Sequence, residues 1–176
     1  MSAQGTTQGT TTQGATTQET TTEVLERAVA PGGDEQVLVT LTVADQLCGV
    51  PVLSVRDILS DQPITRIPLA PKEIAGSLNL RGRIVTAIDL RQRLGLAPAP
   101  PGRKRMSVVA DQGGELYALL VDQVSEVMSL KASDFERNPP TLEKHWAAFS
   151  TGIYRLEGRL LVVLDVAKLL ALSGGT

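Results

Sequence analysis

Aromatic side chains are scarce: Phe, Trp and Tyr make up only 3% of this 176-residue chain. Deep ligand pockets draw heavily on aromatic walls, so the shortage weighs against a small-molecule sensor. There is a single cysteine, Cys48, which excludes an internal disulfide. There is a single histidine, His145, so a metal site would have to be completed by carboxylates. No apolar run reaches the ~20 residues that cross a bilayer, and the N-terminus lacks the apolar stretch of a signal peptide. A strongly basic face is missing too, since the net charge is −2. The one basic run, Arg103-Lys104-Arg105, follows a proline-rich stretch and reads as a solvated loop. These shortages predict a soluble, cytoplasmic protein that neither inserts into a membrane nor binds nucleic acid.

What is present divides unevenly. Residues 1–33 begin as a Thr/Gln/Gly tract with almost nothing apolar to bury. Such a tract cannot offset the entropy of ordering, so the composition predicts a disordered tail. Within it, Glu23–Ala30 could form a short helix with Thr22 as its cap, ended by Pro31-Gly32-Gly33. Residues 34–176 are expected to form the folded part.

That part reads as all-β. In "QVLVTLTVA" Val37, Val39, Leu41 and Val43 share one face while Thr40 and Thr42 share the other, as in a half-buried strand. "LCGVPVLSVRDIL" reads as a strand bent at Pro51, which belongs at an edge or a bulge because proline removes a ladder donor. "RIVTAIDL", "RMSVVAD", "ELYALLVD", "VSEVMSL" and "RLLVVLDV" are further β-rich runs, separated by Arg81-Gly82, Gln112-Gly113-Gly114 and Glu157-Gly158.

The chain also repeats itself. Leu80, Gly82, Arg83, Asp89, Leu94 and Leu96 recur at a constant spacing as Leu156, Gly158, Arg159, Asp165, Leu170 and Leu172. Upstream, "VADQ" at Val43–Gln46 recurs at Val109–Gln112 and, after a short insertion, "VPVLSVRDIL" lies over "LLVDQVSEVM". Each half therefore runs strand, strand, strand, connection, hairpin, short helix. The halves fall at about 36–97 and 105–172, with a proline-rich linker over 98–104. The expected architecture is two similar barrels about a pseudo-two-fold axis, plugged by short helices. Whether the barrels exchange strands is left open by the sequence.

Residues kept in both halves are most simply explained by the fold. Gly82 and Gly158 hold the second place of tight turns, where a positive φ suits glycine. Asp89 and Asp165 end strands just before amphipathic turns and are expected to cap them. A catalytic pair of aspartates across the pseudo-dyad is rejected, because Leu90-Arg91 and Val166-Ala167 replace the small hydroxyl and glycine residues such a loop needs. Cys48 lies in an apolar strand, the diglycine turn opens no helix, and no nucleophile, base and oxyanion donors come together. No catalytic residue, metal site or cofactor is expected. Arg81 remains: its turn needs Gly82 rather than an arginine, and the second half manages with Glu157. A planar guanidinium on a rigid hairpin suits recognition of a partner carboxylate, although the residues alone favour the plainer reading of an exposed turn arginine.

"GSLNLRGRIVTAIDLRQRLGL", preceded by "GVPVLSVRDIL" and "ITRIPLAPKEI" and followed by "LLVDQVSEVMSL", resembles the CheW family over about residues 36–172. The resemblance implies two five-stranded SH3-like barrels, no catalysis, and an adaptor of bacterial chemotaxis. Its implied partners are the regulatory domain of a CheA-type histidine kinase and the cytoplasmic tip of methyl-accepting chemoreceptors. It further implies a chain that is monomeric when free and recruited to membrane-associated receptor arrays. Carried over by position, Val55, Asp57, Arg81, Val124 and Val127 would contact the receptor, and Gly76 and Arg81 the kinase. Cys48 stands where the family often has an aromatic residue, and Thr86 where it often has a proline. Two alternatives stay open: a CheW-like adaptor for a CheA-like kinase outside chemotaxis, or a small-ligand-sensing barrel.

Overall fold

The computed structural model describes residues 34–171; the predicted tail and its short helix lie outside the described residues. Ten strands follow one another: β1 (Glu35–Val43), β2 (Gln46–Pro51), β3 (Val55–Leu59), β4 (Ile74–Leu80), β5 (Arg83–Asp89), β6 (Met106–Gln112), β7 (Glu115–Val121), β8 (Gln123–Lys131), β9 (Ser150–Leu156) and β10 (Arg159–Leu164). Three short helices accompany them: α1 (Leu90–Arg93), α2 (Lys144–Ala147) and α3 (Val166–Leu170).

The strands form two five-stranded sheets, ordered β8-β1-β2-β10-β9 and β3-β6-β7-β5-β4. Each sheet thus takes a hairpin from one half of the chain and three strands from the other. The hairpin β1–β2 joins β8, β9 and β10, and the hairpin β6–β7 joins β3, β4 and β5, so the halves do exchange strands. In each sheet the exchanged hairpin is joined on one side by a parallel pair, β2 with β10 or β5 with β7, and on the other by an antiparallel pair, β1 with β8 or β3 with β6.

The pairing also corrects the repeat. The first hairpin turns at Ala44-Asp45 and its counterpart at Gly113-Gly114. Val43 therefore answers to Gln112 rather than to Val109, and the shared "VADQ" is out of structural register. Leu41 opposite Val124 matches Ala110 opposite Val55, which needs no insertion between the first and third strands of a half. The two halves differ in length only after that, in their connections.

Three apolar clusters hold the molecule together. The largest draws on both sheets, with Val39, Leu41, Val50, Val108, Leu119 and Val162 among its members. A second, around Leu78, Val85, Val109 and Leu120, belongs to one sheet. The third, around Leu38, Leu47, Tyr154 and Leu161, belongs to the other. Strands between two clusters are buried on both faces. β1 is one of them: Leu38 and Thr40 are buried as fully as Val39 and Leu41, and the Thr40 hydroxyl donates to the Glu126 carbonyl at 2.6 Å. The half-buried reading of this strand is corrected accordingly. So is the reading of Pro51. It ends β2, in the middle of its sheet, and a 3-10 turn at Val52–Ser54 then passes the chain to the opposite sheet.

The helices α1 and α3 start where an aspartate accepts free N–H groups, whereas α2 follows Glu143 without a side-chain cap. Asp89 Oδ1 accepts from Arg91 N at 3.0 Å and Gln92 N at 3.4 Å, and Asp165 Oδ1 accepts from Lys168 N at 3.2 Å. Losing such a cap costs about 1 kcal/mol.

Candidate functional site

The outer strands of the second sheet are β3 and β4, and an ion pair links β3 to the turn that follows β4. Arg81 and Gly82 form that turn. A two-residue hairpin of this kind asks for positive φ at both positions. Gly82 supplies φ 88 and Arg81 φ 51, and the latter costs a residue with a Cβ roughly 1–2 kcal/mol. So the turn constrains Arg81 as well as Gly82, contrary to the reading that only the glycine matters. Asn79 Oδ1 accepts the Gly82 N–H at 2.8 Å and holds the turn closed.

Across the seam stands Asp57, just past a bulge where the register of β3 slips between Val55 and Asp57. Bulges re-aim side chains, and this one turns the carboxylate to the hairpin. Arg81 Nη2 lies 3.1 Å from Asp57 Oδ2, with side-chain exposures of 78% and 10%. Asp57 Oδ1 accepts the Ile58 N–H at 2.9 Å. A shielded, doubly engaged carboxylate therefore anchors an arginine whose fork faces solvent. A guanidinium carries five N–H donors, which leaves donors for an incoming carboxylate.

At the corresponding seam of the other sheet the charges differ. Asp57 answers to Glu126 on β8, and Arg81 to Glu157 in the turn between β9 and β10. Both glutamates are exposed, and among the described residues neither forms an ion pair. Glu157 also keeps an ordinary φ, with Gly158 alone taking the positive value of 78.

The remaining residues are placed less uniformly. Val124 and Val127 lie half-buried on β8 against the main cluster, and the Val124 N–H donates to Met106 Sδ at 3.3 Å, tying β8 to β6. Val55 belongs to that cluster and is 4% exposed, so it supports the surface from beneath. Gly76 is buried as well. A Cβ there would meet the Thr65 carbonyl oxygen at 2.2 Å, and φ is +147. Its position is a backbone crossing, where Thr65 and Ser77 exchange two hydrogen bonds of 2.8 Å, and this corrects its placement on a contact surface.

The sequence reading missed Ile84. It is 73% exposed on β5, beside the Arg81 hairpin, and borders an open groove of about 500 Å3 with Pro63, Thr65 and Asn79. Within "RIVTAIDL" apolar residues fall on both faces of the strand, Ile84 and Ile88 on one and Val85 and Ala87 on the other, so alternation alone does not say which face is outward.

The basic run is also more engaged than a solvated loop. Arg105 Nη1 lies 3.0 Å from Asp89 Oδ2, and Arg103 stands 4.0 Å from Asp122. Asp122 is chiefly held by Arg91, which donates from Nε at 3.0 Å and from Nη2 at 2.7 Å, and by the Ala44 N–H at 2.8 Å. Burial pushes the Asp122 carboxyl up, but these hydrogen bonds and the charges of Arg91 and Arg103 outweigh it and hold the group below the ordinary carboxylate range. The hydrogen bond to Asp122 likewise raises the Arg91 guanidinium, against the effect of burial. This clasp ties α1 to the corner leading into β8.

Burial pushes the Cys48 thiol far up, which leaves it an inert core residue. His145 is partly exposed beside the buried Trp146. Among the described residues no group of three or more His, Cys, Asp or Glu is placed to hold a metal ion, and no helix is long and apolar enough to cross a membrane.

A shaped surface with a fixed cation is the chemistry of docking, and the comparisons agree in kind. The CheW-like domain model matches residues 37–173. The chain is 31% identical to the chemotaxis protein CheW of Rhizobium meliloti over 135 residues, covering 77% of this chain and 86% of that protein. It is 31% identical to the CheW of Klebsiella aerogenes over 136 residues, covering 77% and 82%. The crystal structure of the scaffolding protein TtCheW from Thermoanaerobacter tengcongensis superposes with a TM-score of 0.70 at 28% identity, covering 79% of this chain and 94% of that one. With two strand-exchanged barrels and a match that spans both of them, the chain belongs to the CheW-like domain family.

Proposed function

We propose that this protein is an adaptor that couples chemoreceptors to a CheA-type histidine kinase in chemotaxis signalling. The observation that carries the reading is the Arg81–Asp57 pair: an exposed guanidinium fixed by a shielded carboxylate on a turn whose backbone is itself strained. A surface arginine with no task would gain little from such an anchor. Strain retained at a surface turn points to use. Family membership supports the same conclusion from an independent side.

In this reading the receptor tip lies along β8, its apolar side chains against Val124 and Val127, while Arg81 and Asp57 set the register by charge. The kinase regulatory domain docks on the surface of the first half, where Ile84 stands exposed beside Arg81. Gly76 shapes that surface by letting the connection cross β4. The chain carries out no chemistry and works in the cytoplasm, recruited to receptor arrays at the membrane. Signal passes by position, as a shift in the receptor moves the adaptor and the adaptor moves the kinase.

Arg81→Glu tests this directly. Retention of a receptor tip or of a kinase regulatory domain in a pull-down should fall sharply, while Tm stays within about 2 °C, since exposed pairs contribute little to folding. Unchanged retention of both partners would overturn the reading. A large drop in Tm would make Arg81 a structural residue.

A further inference from the structure

The connection between β3 and β4 contains another non-glycine residue at positive φ, besides Ala44, Asp45 and Arg81, and it is the wrong kind for its place. Ala70 N donates to Ile67 O at 3.3 Å, closing a turn with Pro68 second and Leu69 third. Leu69 has φ 63. A turn with proline second and a positive φ third calls for glycine or asparagine. Leucine pays the steric cost of a Cβ there, and its side chain is fully exposed, at 104%. Ile67 beside it is 43% exposed. Neither cost is offset by packing, because Leu69 belongs to none of the three apolar clusters.

The second half provides the control. Its connection between β8 and β9 turns three large apolar residues inward, with Trp146 buried in the main cluster and Leu142 and Phe149 packed against it, and leaves Phe135 36% exposed, far less than Leu69. The first connection instead points its leucine at solvent. Charge flanks it, since Arg66 and Lys72 are exposed and, among the described residues, neither forms an ion pair. Behind the turn lies an open groove of about 720 Å3, lined in part by Arg66, Lys72, Asp89, Gln92 and Arg105. Arg105 is neutralised by Asp89, so the two unpaired cations set the sign of the rim.

We propose that the Ile67–Ala70 turn is a docking knob for the kinase regulatory domain. Leu69 enters an apolar socket on that domain, and carboxylates at the rim of the socket meet Arg66 and Lys72. The inference rests on the adaptor reading above and adds a contact separate from Arg81. A protein socket is favoured over an anionic membrane because a single fully exposed leucine with two cations offers little area to hold a lipid surface, whereas a rigid turn suits a shaped cavity.

The test uses the full chain, a purified CheA-type kinase regulatory domain as one probe, and vesicles of phosphatidylcholine and phosphatidylglycerol as the other. Leu69→Gly relieves the backbone and removes the knob, so Tm should rise while affinity for the kinase domain falls roughly tenfold. Arg66→Glu combined with Lys72→Glu should weaken the same binding and flatten its salt dependence. Wild-type affinity in Leu69→Gly would overturn the proposal, as would wild-type binding to the vesicles that Leu69→Gly abolishes. Arg81→Glu, measured alongside, separates the two ideas. If it weakens kinase binding and Leu69→Gly does not, the knob is wrong and the adaptor stands. If the wild-type chain fails to bind the kinase domain, both fall.

Discussion

The two sheets are built alike and finished differently. At one seam Asp57 holds Arg81, with the arginine forced into left-handed backbone. At the other, Glu126 and Glu157 stand in the matching places, and the turn relaxes to a single positive φ. The same contrast runs through the connections, one of which buries a tryptophan while the other exposes a leucine. It recurs at the Arg91–Asp122 clasp, whose counterparts are Ala167 and the exposed Leu53. A duplicated fold needs its hairpins, caps and core in both halves. Where only one half bears a strain or a charge pair, the duplicated architecture does not by itself require it.

The largest expected break in this comparison lies at the two backbone crossings, which both halves need. A Cβ at Gly76 would meet a backbone oxygen at 2.2 Å and would also require φ +147. A Cβ at Gly152 would meet the Phe135 ring at 2.3 Å and the Glu136 carbonyl oxygen at 2.5 Å, with no positive φ to maintain. Urea unfolding should therefore show Gly76→Ala losing about 3 kcal/mol or more, and Gly152→Ala losing less, because only the first must also hold a positive φ, although the Glu136 carbonyl still has to give way in the second. Equal losses would mean that the crossings are equivalent after all.

Next in size is the clasp. Arg91→Ala strands a shielded carboxylate, and at pH 7 should cost about 3 kcal/mol. The folded pKa of Asp122 is lowered, so the stability it contributes is complete above its unfolded value of about 3.9 and is lost as pH falls through the lower folded value. The gap between wild type and Arg91→Ala, followed by urea titration, should thus narrow as the pH drops below about 4. A gap that holds constant into acid would assign the loss to packing of the arginine stem.

The smallest effect belongs to the seams. Glu157→Arg would place a cation at the position matching Arg81, opposite Glu126. Thermal unfolding should register no more than about 0.5 kcal/mol in either direction. A clearly larger gain would show that the ion pair contributes to folding, and that its absence from one seam needs a reason of its own.

Much of this arrangement is legible in the sequence. Hairpin turns at Gly82 and Gly158, and aspartates that start helices at residues 89 and 165, are local devices, and local spacing reports them. The pairing of hairpins was not legible. Whether β1–β2 joins its own half or the other depends on which apolar face meets which layer, and strands buried on both sides carry no alternation to tell. That same double burial hid Val55 within the core and left Ile84 unnoticed on the surface. Gly76 is assigned to the kinase contact only by its place before the Asn-Leu-Arg-Gly motif; the carbonyl that crosses over it belongs to a segment the motif does not include. Arg81 and Asp57 were both singled out, but nothing in their spacing says that they touch.

The traded hairpins have a consequence for ancestry. A polypeptide carrying one half alone would hold two strands with no sheet to enter and three strands awaiting a pair. Two copies of it, each lending its first hairpin to the other, would complete both sheets. The present molecule has the build of such a symmetric pair joined end to end, and joined halves are free to differ where two identical copies are not.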